Sequence, residues 1–119
     1  MATFLSDFVF FDEATSAGTS NEWINSHADT FTLQVSGTAT AFSATVEAQT
    51  DIALSASNGF VSVCLFNLST GKKVENGLIE ANGRYAVVSE GVVKMRVRLT
   101  AVTGGNVTIF GKSANSAGV

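Results

Sequence analysis

A chain of 119 residues is long enough to build one domain around its own core. It has one cysteine and no proline, which excludes an internal disulfide, a cysteine-ligated metal site and a polyproline recognition segment. Only 14% of the residues are charged, against about 25% in an ordinary soluble domain, so Ser, Thr, Asn and Ala or other subunits must cover its surface. The charge is also lopsided: residues 1–59 carry −7 and residues 60–119 carry +4, which leaves the net −3. Halves of opposite sign attract each other within one chain and between copies of it. No apolar run approaches the 18 residues of a membrane span, and the N-terminus lacks the positive region of a secretory signal. The expectation is a protein folded in a cytoplasm.

The chain opens with Phe4, Phe8, Phe10 and Phe11 inside MATFLSDFVFF, followed by EATSAGTSNE, which has no period. Four phenylalanines cannot all rest in water, since full burial of each is worth about 1.5–3 kcal/mol. Residues 1–23 read as an N-terminal arm or a first strand and a loop, with the regular domain at 24–113 and a small polar tail at 114–119. No segment sustains a helical period; residues 20–28 would admit at most a short helix.

From there apolar residues recur at every second position, the period of a strand with one buried face. TFTLQVSG (30–37) sets Phe31, Leu33 and Val35 on one side. TAFSATVEA (40–48) sets Phe42, Ala44, Val46 and Ala48 against Ser43, Thr45 and Glu47. GFVSVCLFNL (59–68) is apolar on both sides and reads as one strand buried on both faces, with Cys64 as a small hydrophobe inside it. RYAVVS (84–89) and NVTIFGK (106–112) are shorter strands. Asn58-Gly59, Ser69-Thr70-Gly71-Lys72, Asn76-Gly77, Asn82-Gly83 and Thr103-Gly104-Gly105 mark turns, and the last predicts a hairpin between its flanking strands. The fold class is all-β: a single antiparallel β-sandwich, jelly-roll or Ig-like, with an N-terminal arm.

Chemistry-bearing motifs are scarce. His27 and Asp29 stand where a polar turn is expected and no nucleophile motif accompanies them. Asp7, Asp12 and Glu13 lack the spacing of a calcium loop. No phosphate-loop glycine pattern exists. We expect no catalytic residue, no cofactor and no metal. The distinctive stretch is VVKMRVRLTAV (92–102), which places Lys94, Arg96 and Arg98 on one face of a strand, ~6.6 Å apart. Nucleic-acid binding would need a wider basic footprint with stacking aromatics, which the strand lacks. Acids on adjacent strands or on another subunit are the expected partners, with Glu47 as the candidate inside the chain.

SGTATAFSATVEA (36–48), NGRYAVVSEGVVKMRVRLTAVTGGNVTIFGK (82–112) and the proline-free, Thr/Ala/Val-rich make-up resemble the β-sandwich accessory proteins of tailed bacteriophage virions. The resemblance covers residues 30–113. It implies a non-enzymatic virion structural protein, as a capsid decoration (cement) protein bound to the major capsid protein and assembled as a homo-oligomer, a trimer by preference. Nucleic acid and membrane are not among the expected partners. The alternative is a tail, baseplate or fibre module that binds a host-surface carbohydrate, which would place Trp23 and Tyr85 in a shallow groove. Phe4, Phe8, Phe10, Phe11, Lys94, Arg96 and Arg98 are the candidate subunit or capsid contacts.

Overall fold

The computed structural model describes residues 3–25, 28–49, 60–89 and 91–115. Among these the strands form two antiparallel sheets packed as a sandwich. In the first sheet the order across is β1 (Thr3–Ala14), β12 (Val107–Asn115), β4 (Thr30–Ser36), β10 (Gly83–Val88), β7 (Leu65–Asn67) and β8 (Lys72–Val74). In the second it is β2 (Gly18–Thr19), β11 (Lys94–Thr103), β5 (Ala41–Gln49) and β6 (Val61–Ser62). Two short strands complete that sheet, β3 (Trp23–Ile24) beside β11 and β9 (Leu78–Ile79) beside β5. The only helical element among the described residues is one 3₁₀ turn at Glu75–Gly77, so residues 23–24 are strand where a short helix was conceivable.

The period-two residues meet between the sheets. Phe31, Leu33 and Val35 of β4 face Ala44, Val46 and Ala48 of β5 and Met95, Val97 and Leu99 of β11, all buried. Phe31 is the hub: its ring centroid lies 4.5 Å from that of Trp23 and 5.9 Å from that of Phe10, both edge-on. Edge-to-face pairs of this kind add about 0.5–1.5 kcal/mol beyond the area they bury. Gly111 on the neighbouring β12 must be glycine, because the Phe31 ring fills the place its Cβ would take.

The first strand is one edge of the first sheet. It pairs with β12 from Thr3↔Asn115 to Ala14↔Val107, interrupted by three register shifts. Of the two readings of residues 1–23, arm or first strand, residues 3–14 take the strand. Phe10 is buried in the core, and Phe8 and Phe11 are partly buried against it. At the other terminus the strand outlasts the expected boundary, with Ser113 and Ala114 buried in β12.

Two sequence expectations are corrected by the topology. Thr103-Gly104-Gly105 does turn the chain, but β11 belongs to the second sheet and β12 to the first, so the turn is an arch between sheets. A second arch, residues 37–40, joins β4 to β5 the same way. The arches are laced together: the Thr38 and Ala39 amides both donate to the Asn106 carbonyl at 3.0 Å, and the Thr40 amide donates to the Thr103 carbonyl at 2.9 Å. Gly105 has φ +151°, and a Cβ there would collide with the Thr38 backbone at 2.6 Å.

The second correction concerns 59–68. The segment is two short strands, β6 in the second sheet and β7 in the first, and the chain changes sheets at Val63–Cys64. Leu65 is buried there, but Cys64 is exposed, as are Val61, Phe66 and Leu68. Its apolar residues face different sheets and different sides, which one strand could not arrange. Asn25 holds the loops at that sheet end. Its side-chain amide donates to the carbonyls of Ala28, Ser89 and Val92 at 2.9–3.1 Å, and its Oδ1 accepts from the Ala28 amide at 2.8 Å.

Candidate functional site

The outer face of the second sheet carries the cation row. Arg96 lies directly across from Glu47 in the register of β11 and β5. Arg96 Nε meets Glu47 Oε1 at 2.9 Å, Arg98 Nη2 meets Glu47 Oε2 at 3.1 Å, and Lys94 Nζ meets Glu22 Oε1 at 3.5 Å. The Arg96 guanidinium also sits 4.1 Å from the centroid of the Phe60 ring. The Glu47 side chain is only 10% exposed, and the two arginines supply the partners that its burial requires. The row meets carboxylates of its own chain and works in the fold.

The outer face of the first sheet is different. Val9, Phe66, Val88 and Phe110 stand on it, each between 38% and 64% exposed, and Leu68 is exposed in the turn after β7. Register makes Val9 and Phe110 direct neighbours, and a polar band separates them from Phe66: Phe110 lies across from Gln34, and Gln34 from Arg84. One step along, Lys112 lies across from Thr32, Thr32 from Ala86, and Ala86 from Phe66. The long side chains of Arg84, Phe110 and Lys112 stand around short Thr32 and Ala114, leaving a half-open hollow of about 370 Å³. At its rim Lys112 pairs with Asp7 at 3.4 Å, an exposed contact. Arg84 has no carboxylate within ion-pair distance among the described residues.

The sequence-predicted contacts therefore divide. Phe10 is committed to the core and Arg96 to Glu47, while Arg98 and the Lys94–Glu22 pair remain accessible at the surface of the second sheet. Phe8 and Phe11 are partly buried, and Phe4 is in β1. Trp23 and Tyr85, the aromatics a carbohydrate groove was expected to use, are core residues at 3% and 2% exposure. Burial pushes the Tyr85 hydroxyl above its usual pKa of 10.0, and that hydroxyl donates to the Ala81 carbonyl at 2.8 Å. Sequence reading missed Phe66, Val88 and Phe110. The available signal was phase: Val88 and Phe110 fall on the polar side of their strands, in step with Arg84 and Lys112.

His27 lies outside the described residues, as do Asn58-Gly59 and the expected tail beyond Asn115. Among the described residues no three His, Cys, Asp or Glu side chains stand together as metal ligands. No described helix is long and apolar enough to cross a membrane.

This geometry is that of a small two-sheet module: the second sheet's outer face holds an ion-paired cation row beside exposed Ile24 and Leu78, and the first sheet's outer face mixes exposed apolar side chains with Arg84 and Lys112. Residues 5–113 match the family model described as XepA, and the chain belongs to the XepA family. Two solved structures share its fold. The SPBc2 prophage-derived protein YomS superposes with a TM-score of 0.83 at 20% identity, over 97% of this chain and 96% of that one. The PBSX exported protein XepA superposes with a TM-score of 0.80 at 16% identity, over 96% of this chain but 38% of its own. The chain thus spans nearly all of the YomS structure and well under half of the XepA structure. No curated protein matches the sequence.

Proposed function

We propose that the protein is a phage-associated, non-enzymatic structural protein that acts by docking through the outer face of its first sheet. The carrying observation is the set of exposed Val9, Phe66, Val88 and Phe110 on that face, with Val9 and Phe110 directly adjacent. Exposed apolar side chains gathered on one rigid surface mark a contact site, whereas scattered ones need no explanation. The family membership and the descriptions of YomS as prophage-derived and XepA as exported support the phage association. In its specific form the role is capsid decoration: a homo-oligomer, a trimer by preference, binds across adjacent major capsid protein subunits and opposes their separation on the virion. The tail or fibre reading loses the two aromatics it called for.

Copy number tests this. Counting the protein in purified particles should give hundreds of copies spread over the shell; a handful at the tail would overturn decoration. The double variant Phe66→Asp/Val88→Asp should stay folded and lose particle binding. Full occupancy by that variant would remove the docking face.

A further inference from the structure

We infer that the hollow at the centre of this face is an anchor pocket for a carboxylate side chain, Asp or Glu, presented by the protein partner. The inference rests on the docking reading above and adds the chemistry of the partner.

The hollow lies over three adjacent inner strands, β12, β4 and β10, so its walls are held by the sheet and not by loops. Its functional groups are mainly donors: the Arg84 guanidinium, the Gln34 amide and the Thr32 hydroxyl, with the Lys112 ammonium held by Asp7 at the rim. None of the lining residues is acidic. A donor-rich recess calls for an acceptor-rich guest, and a guanidinium presents its N–H groups in the fork that a carboxylate accepts in bidentate fashion. Arg84 is poised for this because no carboxylate of the described chain occupies it. The second sheet gives the contrast, for there Glu47 takes both arginines of its row.

The apolar side of the hollow suits the same guest. Phe110 supplies a ring against which the methylenes of a Glu can lie. Val9, Phe66 and Val88 stand around it and would exclude water once the partner is seated, as neutral contacts do around a central anchor. At about 370 Å³ the half-open recess lies at the lower end of the ~300–1,000 Å³ of ligand pockets. That leaves room for the anchor side chain together with part of its backbone.

The test uses purified full-length protein and particles stripped of it. Arg84→Glu should weaken particle binding at least tenfold, and Arg84→Lys should weaken it less. Arg84 is exposed, so both variants should keep the wild-type melting temperature. Amide chemical shifts should report the pocket directly. Ac-Gly-Glu-Gly-amide should move resonances of β4, β10 and β12, and Ac-Gly-Gln-Gly-amide should not. Unchanged particle binding by Arg84→Glu, equal shifts from both peptides, or no shift from the Glu peptide would overturn the carboxylate anchor. A glucuronate trisaccharide that moves the same resonances further at equal concentration would overturn the protein partner in favour of an acidic glycan. If Phe66→Asp/Val88→Asp binds particles normally, the docking reading itself falls. If that variant fails to bind while Arg84→Glu binds normally, only the anchor falls.

Discussion

The two outer faces of the sandwich use the same residue type in opposite ways. On the second sheet, Arg96 and Arg98 close on Glu47, a carboxylate that is nearly buried. On the first sheet, Arg84 lies across from Gln34, and no carboxylate of the described residues pairs with it. Charges already matched within the chain support the fold and leave little for a partner to gain. An exposed guanidinium with no internal acid is hydrated and can exchange that water for a partner's carboxylate. Sequence alone drew attention to the three cations in a row, but the isolated one carries the functional reading.

The sharpest way to separate face from core lies within β1. Phe10→Ala should cost about 3–5 kcal/mol in urea unfolding, as for other buried phenylalanines. Its neighbour Val9→Asp should change stability by less than ~0.5 kcal/mol. Equal losses at both positions would mean that Val9 is not on a free face. Next comes the ionic hub. Glu47→Ala should cost about 2–3 kcal/mol, somewhat below the ~3–5 kcal/mol of a fully buried pair because Arg98 is half exposed. Particle binding by the refolded variant should be unaffected, and a loss would place the second sheet in the interface.

The smallest effect is titrational. The folded-state pKa of Tyr85 is raised, so the neutral hydroxyl is the form the fold favours. Its contribution is complete below the unfolded value of 10.0 and is lost as pH rises toward and through the raised folded value. Tyr85→Phe should remove that alkaline decline at a cost of about 1 kcal/mol for the lost hydrogen bond to Ala81. An unchanged alkaline decline would assign it to other groups.

Much of the sandwich was legible where alternation was strict. Phe31, Leu33 and Val35, and Phe42, Ala44, Val46 and Ala48, point inward as their spacing requires. Glu47 was also readable as the partner of the cation row, because it sits on the polar phase of a strand long enough to neighbour β11. What failed was assignment to sheets. Glycine at 104 and 105 reports that the backbone must turn, but it carries no information on which sheet receives the next strand. Likewise the apolar density of 59–68 arose from two short strands with different neighbours. Hydrophobicity was then equated with burial, which hid the exposure of Phe66.

The three register shifts along β1 have a consequence for crowding. A sheet edge offers unpaired amides and carbonyls to any similar edge, and a long straight one invites copies to add strand to strand without limit. Irregular register bends the first strand away from the flat geometry such addition needs. The opposite edge, β8, is three residues long and carries Lys72 and Lys73, whose charges repel a second copy in the same place. Both ends of the sheet are therefore poor templates for growth. Crowding of copies therefore does not turn the first sheet into the seed of a continuous fibre.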